Sequence, residues 1–250
     1  MAVLITRPEP DNAATADALR QRGFDVLSAP LLHFQALPFR LDDSARYAGA
    51  IVTSANAIRA IKDHPLRDRL KDAPVYAVGA RTAEAARASG FANVLSADGD
   101  LTALRKLVVD TAAQGARKTP LFYLAGTDVS GDIAAELAKS KIAVTTLTVY
   151  RMTASDQLPD DVTAAFAAHK VEAVLHYSSR SAESFVVATR RAGLEVVGLG
   201  VLQLCISDDV ARILREAGAM RVVSAEKPQE AAMIDALERT LRSPVKPAQS

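Results

Sequence analysis

The sequence predicts an α/β fold built twice: two similar domains, each a parallel sheet covered by helices on both faces. Three observations carry this. Short apolar strands alternate with helical segments along the chain, an order that yields parallel sheets joined by right-handed crossovers. That order occurs twice, most visibly in ASGFANVLSAD (88–98) and EAGAMRVVSAE (216–226), each the tail of a helix, a glycine that stops it, and a short strand ending in Ser-Ala-acid. Finally, 250 residues with 49% hydrophobic content suffice for sizeable cores.

Along the chain, VLIT (3–6) reads as a strand, DNAATADALRQRG as a helix with Ala14, Ala18 and Leu19 on one face and a stop at Gly23, and VLSAPLL (26–32) as a second strand. This β-α-β unit returns as LFYLAG (121–126), DIAAELAKS and AVTTLTVY (143–150). GAIVTSANAIRAI (49–61) and AVLHYSSRSAESF (173–185) are each an apolar strand, a Ser/Thr pair and a helix. PVYAVGARTAEAARASG (74–90) matches LQLCISDDVARILREAG (202–218), with Gly90 and Gly218 placed to stop helices. DGDLTALRKLVVDTA (98–112) matches EKPQEAAMIDALERTL (226–241). The halves are therefore about 120 residues each. HFQALPFRLDD (33–43) and RMTASDQLPDD (151–161), polar and proline-bearing, occupy equivalent places and read as paired connectors, while SPVKPAQS at the end reads as a fraying tail.

Composition excludes several classes of function. Thirty Lys+Arg against 29 Asp+Glu give a formal charge of +1, with 5% aromatics and no tryptophan, so no nucleic-acid surface is expected. An anionic ligand must be held by local geometry. A single cysteine, Cys205, excludes an internal disulfide and a multi-cysteine metal site, and four histidines show no ligand spacing, so no metal site is expected. MAVLITRPEP has no basic leader, and no segment reaches the roughly 18 apolar residues of a membrane span. A reducing cytoplasm is the expected compartment, and a monomer needs no additional assumption.

Ligands of parallel α/β domains bind beyond the carboxyl ends of the strands, where helix N-termini present free N–H groups. Here the junctions carry Thr6-Arg7-Pro8, Thr53-Ser54, Gly79-Ala80-Arg81-Thr82, Gly126-Thr127, Ser178-Ser179 and Ser207-Asp208. Each is an ordinary N-cap by itself, but several facing a cleft between domains would form an array of donors suited to carboxylates or phosphates. No P-loop, GxSxG, HExxH or GxGxxG is present. Cys205, inside VLQLCI, reads as a buried structural thiol, and His176 leans toward structure; His33, His64 and His169 lie in polar connecting segments. Tyr150 ends TLTVY where the second connector starts, which could bring a neutral hydroxyl donor to the cleft.

Taken together, LITRPEPDNAATADALRQRGFDVLSAPLLHF, VTSANAI, VYAVGARTA and TLTVYR resemble the uroporphyrinogen-III synthase family, over about residues 2–241. The resemblance implies two flavodoxin-like parallel-sheet domains joined by a two-stranded linker, with a discontinuous first domain of 1–35 plus 155–243, a second of 36–154, linker strands near 30–38 and 148–155, and a flexible tail at 244–250. It implies a cofactor-free lyase that takes linear hydroxymethylbilane, expels its hydroxyl as water and closes the ring with inversion of the last pyrrole. It also implies a transient hand-over from the upstream deaminase. Tyr150, at the position of the family's TVY tyrosine, would assist departure of the hydroxyl. The eight substrate carboxylates would sit on the junction residues Thr6, Arg7, Thr53, Ser54, Gly79, Ala80, Arg81, Thr82, Gly126, Thr127, Ser178, Ser179 and Ser207.

Two departures stand out. Where the family's second half often has a Gly-x-x-Thr turn, this chain has Ser207-Asp208-Asp209-Val210, and the arginine many members carry after Gly126 is replaced by Val129-Ser130-Gly131. Two extra carboxylates would repel a polyanion unless they cap the helix and point away. A second reading stays open on these grounds: a two-domain anion-binding or regulatory module without catalysis.

Overall fold

The computed structural model describes residues 2–41, 44, 46–111, 119–129 and 131–242. The expected tail, Asp42 and Asp43 of the first connector, and Ser130 lie outside the described residues. Contacts divide the chain into two compact units, Met1–His33 with Thr153–Ser250, and Phe34–Met152. Each is described separately.

The first unit starts with β1 (Ala2–Ile5), α1 (Asp11–Gln21) and β2 (Asp25–Ser28), and resumes with α7 (Asp160–Ala167), β9 (Val171–His176), α8 (Ser179–Arg191), α9 (Glu195–Gly200), β10 (Leu202–Cys205), α10 (Asp208–Glu216), β11 (Val222–Ser224) and α11 (Glu230–Arg242). Its sheet has the order β11-β10-β9-β1-β2, with parallel neighbours. Alternating side chains feed two cores. Leu4 and Val174 join Phe166, Phe185 and Leu214 on one face, while Val3, Ile5 and Leu175 join Leu204, Met233 and Leu237 on the other.

The second unit contains β4 (Gly49–Val52), α2 (Ala55–Ala60), α3 (Leu66–Leu70), β5 (Val75–Ala77), α4 (Ala80–Ala88), β6 (Val94–Ser96), α5 (Leu101–Thr111), β7 (Leu121–Gly126) and α6 (Ile133–Ala138). Two strands, β3 (Leu32–Ala36) and β8 (Val144–Ala154), carry the chain across the unit boundary. The sheet order is β3-β8-β7-β4-β5-β6. Ala50, Val52, Ile58, Phe122 and Leu124 fill one core, and Ile51, Tyr76, Leu104, Leu121 and Leu137 fill the other. Apart from the edge strand β3, both sheets follow one plan: β2-β1-β9-β10-β11 corresponds to β8-β7-β4-β5-β6 through the sequence repeat. Each half of the chain lends its first β-α-β unit to the opposite sheet. Gly90 and Gly218 stop α4 and α10 with φ of +88° and +102°, a conformation that glycine adopts without a Cβ clash.

Two local expectations are corrected. VLSAPLL is not one strand: β2 ends at Ser28 in one sheet and β3 starts at Leu32 in the other. Pro30 has no N–H for a ladder, and the flanking amides of Ala29 and Leu31 donate instead to Ile5 O (2.9 Å) and Thr6 O (3.1 Å). Helix α1 buries Asn12, Thr15, Ala16 and Leu19, whereas Ala14 is exposed; the Asn12 amide donates to Arg7 O at 2.9 Å, so a satisfied polar side chain takes an inward place that apolar periodicity assigns to alanine. The strand through Tyr150 continues to Ala154 beside β3, in the region where the resemblance implies a linker strand.

Candidate functional site

Strand order reverses between β1 and β9 in the first sheet and between β7 and β4 in the second, and crevices at such points, beyond the carboxyl ends, are where doubly wound sheets bind ligands. Thr6 and Arg7 follow β1 and Ser178 and Ser179 follow β9, while Thr53 and Ser54 follow β4 and Gly126 ends β7; Gly79–Thr82 and Ser207 come after β5 and β10, one strand further out.

In the first unit, several expected ligands are already engaged by the fold. The Thr6 hydroxyl, fully buried, donates to Leu175 O at 2.9 Å. Arg7, only 7% exposed, donates to Thr15 Oγ1 (2.9 Å) and Glu230 Oε1 (3.2 Å), pairs with Asp11 (3.2 Å), and lies over the Tyr177 ring at 4.2 Å. Thr15 also donates to Glu230. These contacts tie the β1–α1 turn to the first turn of α11. Nothing in the sequence singles out Tyr177, Thr15 and Glu230, because no local signal relates Arg7 and Thr15 to Glu230, more than 200 positions away, or Arg7 to Tyr177. Burial, followed by the charge of Glu230, raises the pKa of the Tyr177 hydroxyl to about 12, a shift that the neighbouring Arg7 and Thr15 oppose in part.

Ser178 caps α8: its Oγ accepts from Ser181 N at 3.2 Å and lies 2.9 Å from the Ser181 hydroxyl, with Ser179 opening the helix. Ser207 starts α10 without a side-chain cap. The neighbouring Asp208 is exposed and its Oδ1 accepts from Ser224 Oγ at 2.6 Å, which draws this carboxylate toward β11. Both Asp208 and Asp209 lie in the first turn, where the helix dipole favours them.

His176 is a packing residue. Fully buried, it is 2.9 Å through Nε2 from Gln203 Oε1 and meets the Phe185 ring edge-on at 5.1 Å. Burial lowers its pKa to about 4. The fully buried Cys205 thiol is pushed up to about 12 by burial, far from thiolate chemistry. Among the described residues, no three His, Cys, Asp or Glu side chains group as a metal site.

In the second unit, Thr53 Oγ1 lies 3.2 Å from Tyr123 Oη, and Ser54 caps α2 by accepting from Asn56 N at 3.2 Å. Gly79 begins α4 in an extended conformation and has no side chain with which to cap the helix. Ala80 and Arg81 are exposed there, and Thr82 turns inward at 7% exposure. Gly126 ends β7, and the Thr127 N–H that follows donates to Tyr150 O at 3.0 Å.

Tyr150 owes its direction to a bulge. Along β7 and β8, Leu124 pairs with Leu147 and Ala125 with Thr148, but Gly126 pairs with Tyr150. Val149 is therefore one extra residue in β8, an irregularity rare between parallel strands and one that re-aims side chains. Strict alternation would send Tyr150 to the side of Thr148. Instead Leu147, Val149 and Tyr150 all pack on the same core face, and the half-buried tyrosine ring lies at the end of β7 against Gly126. Phe34 stacks nearby, with ring centroids 6.1 Å apart, and the Arg59 guanidinium lies 5.2 Å from the Phe34 ring. The bulge and the contacts of Phe34, Arg59 and Tyr123 are invisible in the sequence, because a bulge shows only when two strands are paired.

Comparison with known proteins agrees with this architecture. The family model described as Uroporphyrinogen-III synthase HemD matches residues 13–235. A search of curated proteins gives no match. Among solved structures, the chain is similar to uroporphyrinogen-III synthetase from Helicobacter pylori, with TM-score 0.65 and 17% identity over 96% of this chain and 99% of that one. It is also similar to a mutant uroporphyrinogen III synthase from the extremely thermophilic bacterium Thermus thermophilus, with TM-score 0.57 and 18% identity over 98% of this chain and 100% of that one. At such identities the structural likeness speaks for the two-domain α/β fold, and the family model, spanning most of the sequence, speaks for membership. The chain belongs to the uroporphyrinogen-III synthase family, lyases of tetrapyrrole biosynthesis that act on a small-molecule substrate.

Proposed function

We propose that this chain cyclises hydroxymethylbilane to uroporphyrinogen III through the hydroxyl of Tyr150. The observation that carries the assignment is the bulge at Val149, which turns a phenol toward the end of β7 beside Gly126 and Thr127. The phenol donates a hydrogen bond or proton to the terminal hydroxyl of the bilane. The C–O bond breaks, oxygen leaves as water, and a cationic azafulvene remains. Its electrophilic carbon is attacked by the last pyrrole, which inverts through a spiro intermediate. The proton lost as the ring rearomatises restores the phenol, so water is the only other product.

Backbone donors hold the carboxylates in this reading. The first turns of α4, after Gly79, and of α10, after Ser207, supply N–H groups and a favourable dipole in this reading, with Ala80, Arg81 and Thr82 around the first. Thr53, Ser54, Gly126, Thr127, Ser178 and Ser179 line the remaining strand ends. Thr6 and Arg7, their side chains engaged internally, shape the β1–α1 turn. Holding the bilane so that its ends meet is catalysis by positioning.

The reading puts this chemistry in a cytoplasmic monomer, whose one cysteine is a buried free thiol; among the described residues no helix is long and apolar enough to cross a membrane. Because the bilane closes spontaneously to isomer I, a transient hand-over from the upstream deaminase limits that loss. The test supplies freshly generated hydroxymethylbilane, oxidises the products and separates uroporphyrin isomers I and III. Isomer III in proportion to protein concentration is expected; isomer I alone from folded protein refutes the proposal.

A further inference from the structure

Gly126 shows an unusually close approach. A Cβ built on it would lie 2.7 Å from Tyr150 Cζ, 2.9 Å from Cε2 and 3.0 Å from the hydroxyl oxygen. Real Cβ atoms do not come so near as the first two, which are carbons of the ring itself. The φ of Gly126 is outside the left-handed region, so the backbone would accept alanine. What the position excludes is volume.

We propose that Gly126 is a positioning residue for Tyr150: the missing Cβ gives the phenol its seat, and the Phe34 ring keeps it there. The inference rests on the catalytic reading of Tyr150. The bulge at Val149 turns the tyrosine onto this face, the register places it opposite Gly126, and the Thr127 N–H to Tyr150 O bond of 3.0 Å fixes the backbone beside it. Phe34, on the neighbouring strand β3, stacks at 27° to the tyrosine ring. A methyl group at position 126 would push the ring most of an ångström away, and such a displacement of a reacting group can cost about a hundredfold in rate.

The test measures kcat, KM and thermal midpoint for Gly126→Ala, Phe34→Leu and Tyr150→Phe, and for the two double variants that contain Tyr150→Phe. Gly126→Ala should lower kcat by about a hundredfold, with KM and thermal midpoint changing little. In the Tyr150→Phe background, where no hydroxyl remains to be placed, the same substitution should have almost no further effect on kcat. Unaltered kcat in Gly126→Ala, a loss confined to KM, or an equal loss in both backgrounds would overturn the inference. Full turnover by Tyr150→Phe alone would instead sink the reading of Tyr150, and that single variant separates the two failures. If Gly126→Ala does not fold, Phe34→Leu decides. A fall in kcat that disappears in the Tyr150→Phe background supports the seat, and no fall, or an equal fall in both, refutes it.

Discussion

Lowering the pH should destabilise this protein through His176, and a variant can isolate the effect. The folded imidazole has a pKa of about 4 because burial penalises its charged form, while the hydrogen bond to Gln203 opposes that shift only in part. In the unfolded chain it titrates near 6.5. The unfolded state therefore takes up a proton below about pH 6.5, whereas the folded state refuses one until about pH 4. Stability from the neutral ring is fully present above pH 6.5 and is lost as pH falls toward 4. A separation of 6.5 from about 4 corresponds to about 3 kcal/mol once both states are protonated, and to roughly 2 to 3 kcal/mol by pH 4.5. Urea denaturation of the wild type and of His176→Gln at pH 7.5, 6.5, 5.5 and 4.5 would measure it. Carboxylates titrate in both proteins, so the difference between the two curves reports the histidine alone. The wild type should lose stability relative to the variant by that amount between pH 6.5 and 4.5. Parallel curves across the range would refute the claim that the ring stays neutral in the fold.

The other predictions concern chemistry and packing. Tyr150→Phe should lower isomer III turnover at least tenfold, in line with a lost general-acid contribution, while the thermal midpoint stays within a few degrees; undiminished turnover would remove the hydroxyl from the mechanism. Glu230→Ala should destabilise the protein by about 1–2 kcal/mol in denaturant titrations, because it leaves the buried Arg7 with less compensation while the partner lost is itself partly solvated; a neutral result would mean that Asp11 and Thr15 alone satisfy the guanidinium. Cys205 should react with a thiol reagent only as fast as the protein unfolds, and rapid labelling of the native state would contradict its burial.

Much of the fold was legible because its signals are local. Alternating strands and helices, Gly90 and Gly218 as stops, and small polar residues after each strand are all written within a few neighbouring positions, and the repeat needs only comparison of the chain with itself. The importance of Tyr150 was less visible. Residue type and position made it a strand-end tyrosine whose hydroxyl could reach the cleft, and the family resemblance gave that hydroxyl its expected part in the reaction.

Tertiary structure decided what depends on partners distant in sequence. Periodicity could not divide VLSAPLL between two sheets, since that choice lies in the amides of Ala29 and Leu31 finding Ile5 and Thr6. Nor could it tell that the Arg7 side chain is held by Glu230, or that His176 is enclosed with Gln203 and Phe185. The face on which Tyr150 lies turned on one extra residue in β8, a feature that exists only once β8 is paired with β7. The sequence by itself determined the elements, their order and their duplication, because backbone preference and apolar periodicity act over a few residues. The seat of the phenol was decided by the packing of Val149, Gly126 and Phe34, because steric fit belongs to atoms that meet in space and leaves no periodic trace along the chain.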